Sequence, residues 1–546
     1  MSLVTGVPCL QVGSGLDASM NSNKFGWVGS LSLVACLLGC GGNSNVTAGG
    51  PQPQSPSLRA YSIGGTVSGL SGTLGLSNNG TDSLVLNASG AFSFGKPVVS
   101  GGANEVTIAT QPSDPAQFCV VVNGTGTVSD NVTNIRVTCT TPGEQMLYEF
   151  GLTSDDNTPR GPLVFDNSGS LYGTNSGNLY GSSTGNGHGS VFKLTPANGQ
   201  WNETVLYTFC QSLGCPDGAN PASGVIWDHI GNLYGTTASG GTYGSGVVFQ
   251  LSSDGSGGWT ETVLHSFGNG TDGAGIFTSG LVFDNSGNLY GTTRQGGTTG
   301  NGTVFELSPN GSGGWTESVI YNFCPSAGFI CPDGEAPMGG VAIGADGNLY
   351  GTTSLGGSWQ FGTVFQLTRG TNGQWTEKVL HSFGGDPTDG TTPRAGVILD
   401  AAGNLYGTTQ LGYCSESACN NGTVFEMVRA AGGQWQEGVL YGFHKGTDGS
   451  KPSGPVILDK AGNLYGTTAS GGIVLDASGS IVDAGVVFAL TPGSVNAMWA
   501  EVPLYSFPGG SNGAGPSGLV MDGQGNIYGV AEGGANSGGI IFEVTP

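Results

Sequence analysis

From residue 142 onward the apolar positions come in short runs that return at a long, nearly constant interval. The phrase Gly-Asn-Leu-Tyr-Gly or a close variant recurs with its tyrosine at Tyr172, Tyr234, Tyr290, Tyr350, Tyr406, Tyr465 and Tyr528, at gaps of 62, 56, 60, 56, 59 and 63 residues. Each copy sits in a longer frame, seen most regularly in residues 279–323 (SGLVFDNSGNLYGTTRQGGTTGNGTVFELSPNGSGGWTESVIYNF). Four strands are predicted per copy: A (GLVFD), B (NLYGTT), C (TVFEL) and D (TESVIYNF), the last introduced by a tryptophan at Trp201, Trp259, Trp315, Trp375, Trp435 and Trp499. The A–B link, Asp-Asn-Ser-Gly, carries the residues a tight hairpin demands. Four antiparallel strands at such a period point to propeller blades rather than to a helical solenoid.

The phase of the repeat bears on closure. The first strand D, MLYEF at Met146–Phe150, precedes the first strand A, and no strand D follows the last strand C at Ile541-Phe542. The seventh copy must therefore borrow its outer strand from the start of the region, which closes a ring and removes a free sheet edge. The expected fold is all-β: a seven-bladed β-propeller of four-stranded blades over residues 142–546. Before it, residues 60–141 alternate short strands (TVSGL, DSLVLN, AFSFG, EVTIAT, FCVVV, NIRVTC) with Gly- and Asn-rich turns, as in a small Ig-like or prealbumin-like β-sandwich. Residues 41–59 show no apolar periodicity and read as a flexible linker.

The phrases GNLYGTT, VF-x-L and W-x-E-x-VLYSF resemble the GloVer tandem repeat of bacterial surface proteins, over about Gly143 to Pro546. Copies depart from the pattern at Ser170, Gly344 and Ile527, none of which threatens a strand. The resemblance implies a choice-of-anchor surface protein with a propeller-like body and no established activity.

The N-terminus changes the picture from fold to address. After Met20, the expected true start, Lys24 precedes an apolar run from Phe25 to Leu38 that is too short to span a bilayer but suits a signal-peptide core. Leu37-Leu38-Gly39-Cys40 resembles a lipobox, so residues 1–40 are expected to be a signal region ending in lipidation at Cys40. The absence of Asp after that cysteine favours the outer membrane or cell surface, with membrane contact through the lipid alone. Of the eleven cysteines, eight form close pairs beyond this region: Cys119 with Cys139, Cys210 with Cys215, Cys324 with Cys331, and Cys414 with Cys419. In an exported chain such pairs read as disulfides. The alternative, a C-x4-C metal site, lacks an evident His partner in the sequence.

Composition agrees with a turn-rich β protein and excludes one class of partner. Glycine occupies 105 positions and charged residues 9% of the chain, against about 25% in ordinary soluble proteins. With a net charge of −23 and only 14 scattered Lys and Arg, nucleic acid is not a partner. No nucleophile elbow, zinc-protease helix or phosphate-binding loop is present, and no cofactor or metal is expected. The five histidines are dispersed; His265 and His381 replace the tyrosine of strand D and read as half-buried structural residues. The recurring D–A loop aspartates (Asp217, Asp272, Asp333, Asp389, Asp448) read as turn residues, with a weakly held cation as the alternative.

In a propeller the B–C and D–A loops emerge on one face. That face carries the irregular features: three cysteine pairs and the loop aromatics Tyr243, Phe277, Phe329, Trp359 and Tyr413. The leading expectation is a monomeric surface module that binds carbohydrate or protein there. The alternative is a polysaccharide lyase or glycoside hydrolase with carboxylates lining the central funnel.

Overall fold

The computed structural model describes residues 59–546 except 114–116, 152–157, 178–187, 222, 277–279, 326–329, 413–419, 431, 473, 476–480 and 493–498. Cys40, Phe277, Phe329, Tyr413, Cys414 and Cys419 therefore lie outside the described residues. Those residues are all-β: no α-helix occurs among them, only a single 3-10 turn at Gly510–Asn512, and no helix is long and apolar enough to cross a membrane.

The repeat region folds as seven antiparallel sheets, each with strands A to D in spatial order. The third is representative, with Val282–Phe283, Leu289–Thr293, Thr303–Pro309 and Trp315–Asn322. Strand A is shorter than the sequence suggests: it pairs over two residues in five of the sheets and extends only at Pro159–Phe165 and Ala514–Met521. The seventh sheet takes its outer strand from Gly143–Glu149, which runs antiparallel to Ile540–Thr545 with Met146 opposite Phe542 and Glu149 opposite Ile540.

Each sheet packs on the next through two sets of contacts. On the outer side, the phenylalanine that ends strand D meets the phenylalanine of the following strand C, edge to face at every junction but Phe267–Phe305, which is tilted at 58°. The pairs are Phe209–Phe249, Phe267–Phe305, Phe323–Phe365, Phe383–Phe425, Phe443–Phe488 and Phe507–Phe542, all with centroids 4.9–5.1 Å apart. The seventh, Phe150–Phe192 at 5.1 Å, joins the last sheet to the first. On the inner side, backbones entering strand A touch directly. A Cβ on Gly339 would strike Ala395–Gly396, and one on Gly518 would strike Gly161, again joining last to first. Strand B threonines tie neighbouring sheets together: Thr292 Oγ1 donates to Gly339 O at 3.0 Å and Thr352 Oγ1 to Ala395 O at 2.7 Å. The arrangement is propeller-like.

The repeated Leu-Tyr-Gly explains itself at this level. The glycine lies opposite the strand C phenylalanine, as Gly291 does to Phe305, and a Cβ there would sit 2.6 Å from the ring's Cζ. Only glycine lets the ring lie flat on the neighbouring strand. The tyrosine hydroxyl reaches back to the hairpin aspartate: Tyr290 donates to Asp284 at 3.3 Å, while the same carboxylate accepts the N–H groups of Ser286 and Asn288. In the fourth copy, where Gly344 replaces the aspartate, Asp346 takes over and accepts from Tyr350 at 2.9 Å and from Asn348. Every C–D ladder also contains a bulge opposite the Val-Phe or equivalent pair, as between Val304 and Phe305, which adds twist. Nothing in the period-2 pattern announces it.

Residues 60–140 form two four-stranded sheets around a core of Ile63, Val67, Leu74, Leu76, Val106, Ile108, Ile135 and Val137. Cys119 and Cys139, directly opposite on adjacent strands, are bonded. Phe118 and Val120 leave this core and pack against the repeat region, the Phe118 ring standing 5.9 Å from that of Tyr465.

Candidate functional site

Two arrangements merit the name of a site, and they lie in different places. The first follows from the loops. Antiparallel order puts the B–C and D–A loops at one end of every sheet. There Tyr243 and Trp359, occupying equivalent B–C loop positions in the second and fourth sheets, are 51% and 55% exposed, and Phe361 beside Trp359 is 48% exposed. The strand aromatics of the same copies are buried or half-buried. Trp359 is held over the backbone of Gly385, whose added Cβ would meet its Nε1 at 2.8 Å, and Phe361 covers Gly384 in the same way. Leu213 and Ile330, both exposed, belong to D–A loops at this end. Cys210–Cys215 and Cys324–Cys331 are bonded there, so both loops that carry the exposed aliphatics are closed by a disulfide. His188 stands beside the first bridge, its ring nitrogen within 4.8 Å of both sulfurs. No spacing rule pointed to that neighbour, because His188 comes from another loop. With its thiols joined, the pair lacks the thiolates a metal needs.

The second arrangement was missed by sequence reasoning. The D–A loop aspartates do more than form turns. Each accepts a hydrogen bond from the strand D side chain of its own sheet: Tyr207 to Asp217 at 2.9 Å, Tyr321 to Asp333 at 2.8 Å, and Tyr441 to Asp448 at 3.0 Å. In the two variant copies histidine replaces the phenol, with His265 Nε2 at 3.1 Å from Asp272 and His381 Nε2 at 3.2 Å from Asp389. The glutamate of Trp-x-Glu in the next sheet faces the same aspartate across the junction. Burial, reinforced by the aspartate's negative charge, pushes Glu261 and Glu317 up to about 7, Glu377 to about 8 and Glu501 to about 9. For Glu437 burial and Asp389 raise the value to about 7 while His381 opposes them. Each of these glutamates keeps one buried oxygen without a hydrogen-bond partner. Such pairs are stable when one carboxyl keeps its proton and the charge is not doubled.

Position limits what these carboxylates can do. All the glutamates with raised proton affinity among the described residues are on strand D, at the sheet edge away from strand A. A funnel enzyme would need them at strand A or B.

A cleft of about 870 Å³ opens where the sandwich meets the A–B turns of the sixth and seventh sheets, lined by Glu105, Val120, Val122, Lys460, Asn463 and Gln524 among others. Its aspartates, Asp459 and Asp522, are committed to their own hairpins, accepting from Asn463 and Asn526 at 2.9 Å. The cleft is on the opposite end from the loop aromatics.

The profile of the Gloeobacter/Verrucomicrobia repeat matches residues 107–332 and 326–542. The chain belongs to this family. No curated protein matches it. Among solved structures, this member of the repeat family is similar to the polysaccharide lyase Uly1 at 12% identity, covering 73% of this chain and 93% of that one with a TM-score of 0.41. It is similar to a gluconolactonase of Xanthomonas campestris at 14% identity, over 59% and 85% of the two chains with a TM-score of 0.33. A Dyadobacter fermentans protein of unknown function covers 74% of this chain at 9% identity, with 98% of its own length aligned and a TM-score of 0.37.

Proposed function

We propose that this repeat-family member is an exported, lipid-anchored surface protein whose seven sheets are the blades of a closed β-propeller, and that it binds carbohydrate on the B–C/D–A end. The observation that carries the reading is the exposure of Tyr243, Trp359 and Phe361 on loops whose strands keep their large rings buried or half-buried. An apolar ring held in water by a rigid loop costs solvation unless a ligand covers it, and sugar rings offer flat C–H faces of matching size. Residues 60–141 serve as an Ig-like spacer between anchor and propeller. Three described disulfides support an oxidising compartment, and the lipobox at Cys40 supports the anchor. A glycan array with the mature protein, followed by analysis of the bound sugars for cleavage, tests the reading. Binding without product, lost in Trp359→Ala and Tyr243→Ala, is expected. Product formation would replace it with the lyase or hydrolase reading, and binding untouched by both substitutions would remove the assigned face.

A further inference from the structure

The five aspartate–glutamate junctions are not chemically equal. Where strand D supplies tyrosine, the third group is a phenol; burial and the aspartate's hydrogen bond raise the Tyr207 and Tyr321 hydroxyls well above the usual range, so neither offers an anionic ligand. Where it supplies histidine, an imidazole nitrogen faces the carboxylate pair. At the junction of the fourth and fifth sheets, a ring nitrogen of His381, a carboxylate oxygen of Asp389 and one of Glu437 all lie within 4.8 Å of one another. The His265, Asp272 and Glu317 set does not gather within that span among the described residues.

We propose that His381, Asp389 and Glu437 bind a divalent transition-metal ion of the zinc class. Three features of the junction support this. Asp389 is buried and fixed, accepting the N–H groups of Gly384 at 2.8 Å and Gly385 at 3.3 Å as well as facing His381. The Glu437 Oε1 atom is shut off from solvent and has no hydrogen-bond partner, so this carboxyl has acceptor capacity to give to an ion that displaces its proton. The donor set is one imidazole and two carboxylates. That is the chemistry of zinc and its neighbours, whereas calcium and magnesium take oxygen ligands alone. Ligand atoms on a tetrahedral zinc ion with bonds of about 2.1 Å are roughly 3.4 Å apart, so from within 4.8 Å the three side chains need close by no more than about 1.4 Å. The ion would neutralise two facing carboxylates and join two sheets that otherwise meet only by packing and hydrogen bonds. It adjoins the loop aromatics, since Gly384 and Gly385, which donate to Asp389, lie under Phe361 and Trp359, but its ligands are different side chains, so separate substitutions test it and carbohydrate binding.

The repeat itself supplies a variant that should fold, because tyrosine occupies the position of His381 in neighbouring copies. Metal-stripped full-length protein is titrated calorimetrically with Zn2+ and, separately, with Ca2+, and Co2+ is added to record its visible spectrum. The expected result is Zn2+ binding that His381→Tyr weakens by more than about tenfold, that Glu437→Gln also weakens, and that His265→Tyr leaves unchanged. Zn2+ should raise the melting temperature of the wild type but not of His381→Tyr, and the Co2+ spectrum should disappear in that variant. Equal Zn2+ binding by wild type and His381→Tyr would overturn the assignment, as would no Zn2+ binding by the wild type. Preference for Ca2+ over Zn2+ would overturn the metal class.

Discussion

The joint between the last sheet and the first should be as strong as any joint between consecutive sheets, and one substitution measures it. Phe150 is 1% exposed and meets Phe192 at 5.1 Å with an interplanar angle of 61°. Phe383, at an ordinary joint, is 0% exposed and meets Phe425 at 5.1 Å and 64°. Replacing a buried phenylalanine by alanine removes its transfer free energy and leaves a cavity, together about 3–5 kcal/mol. Phe150 gathers Leu147, Leu163, Leu171, Tyr528 and Ile541 into its cluster, so its site cannot collapse more easily than the internal one. Phe150→Ala and Phe383→Ala should therefore lose the same stability, about 3–5 kcal/mol each. Urea unfolding of a protein that begins at residue 41 followed by tryptophan fluorescence is the assay, since residues 41–141 contain no tryptophan and the signal reports the repeat region alone. A cost below about 1 kcal/mol for Phe150→Ala beside the full cost for Phe383→Ala would refute ring closure, because a strand merely draped on an open end frays without unfolding the rest. Moving residues 143–151 to follow Pro546 through a short Gly-rich turn should preserve the folded state, since the pairing with Ile540–Thr545 is kept wherever the chain is cut.

Three further outcomes follow from particular contacts. Gly351→Ala places a methyl 2.6 Å from the Phe365 ring and should cost about 1–3 kcal/mol by overpacking, whereas Gly438→Ala, with nothing within 4 Å of its added Cβ, should stay within about 0.5 kcal/mol in the same unfolding assay. Burial and Asp448 raise Glu501 from 4.5 to about 9, so its proton is worth stability that is complete below pH 4.5 and is lost as pH rises through 9. Glu501→Gln should flatten the unfolding midpoint across that window by up to about 1.4 kcal/mol per pH unit, and identical pH profiles would contradict the paired-carboxyl reading. Cys40→Ala should move the protein from the membrane pellet to the soluble fraction or leave uncleaved precursor, and membrane-bound processed protein would show that another group holds the anchor.

What could be read from the sequence divides along a physical line. Interactions inside one copy repeat with the copy, so they appear as a phrase. The hairpin aspartate and the four-strand order were legible for that reason, whereas the bond from the repeated tyrosine back to that aspartate came only with the structure. The phase alone set Met146–Phe150 beside Ile540–Val544, and the structure has that pairing. The family resemblance, carried by the same phrases, holds over residues 107–542. Contacts between copies leave a weaker trace: a residue that recurs with no partner in its own frame. The glutamate of Trp-x-Glu is such a residue. Its aspartate lies in the D–A loop of the preceding copy, at a varying distance along the chain, and no spacing rule joins them.

Variation among copies is then the informative signal. Asp and Glu persist across the five junctions, because removing either would strand a buried carboxyl, while the third member alternates between tyrosine and histidine. Taken alone, His381 looks like a tolerated replacement of Tyr321, since both reach the loop aspartate at about the same distance, 3.2 Å and 2.8 Å. The junction distinguishes them: a phenol completes a hydrogen-bonded pair, and an imidazole supplies a ligand nitrogen to two carboxylates. The same logic separates the loop aromatics. Tyr243 and Trp359 stand at a position that Thr299 fills in the copy between them, so no shared packing requirement selects a ring there. A position that the fold leaves free, and that carries exposed aromatic rings in two copies, answers to something outside the fold.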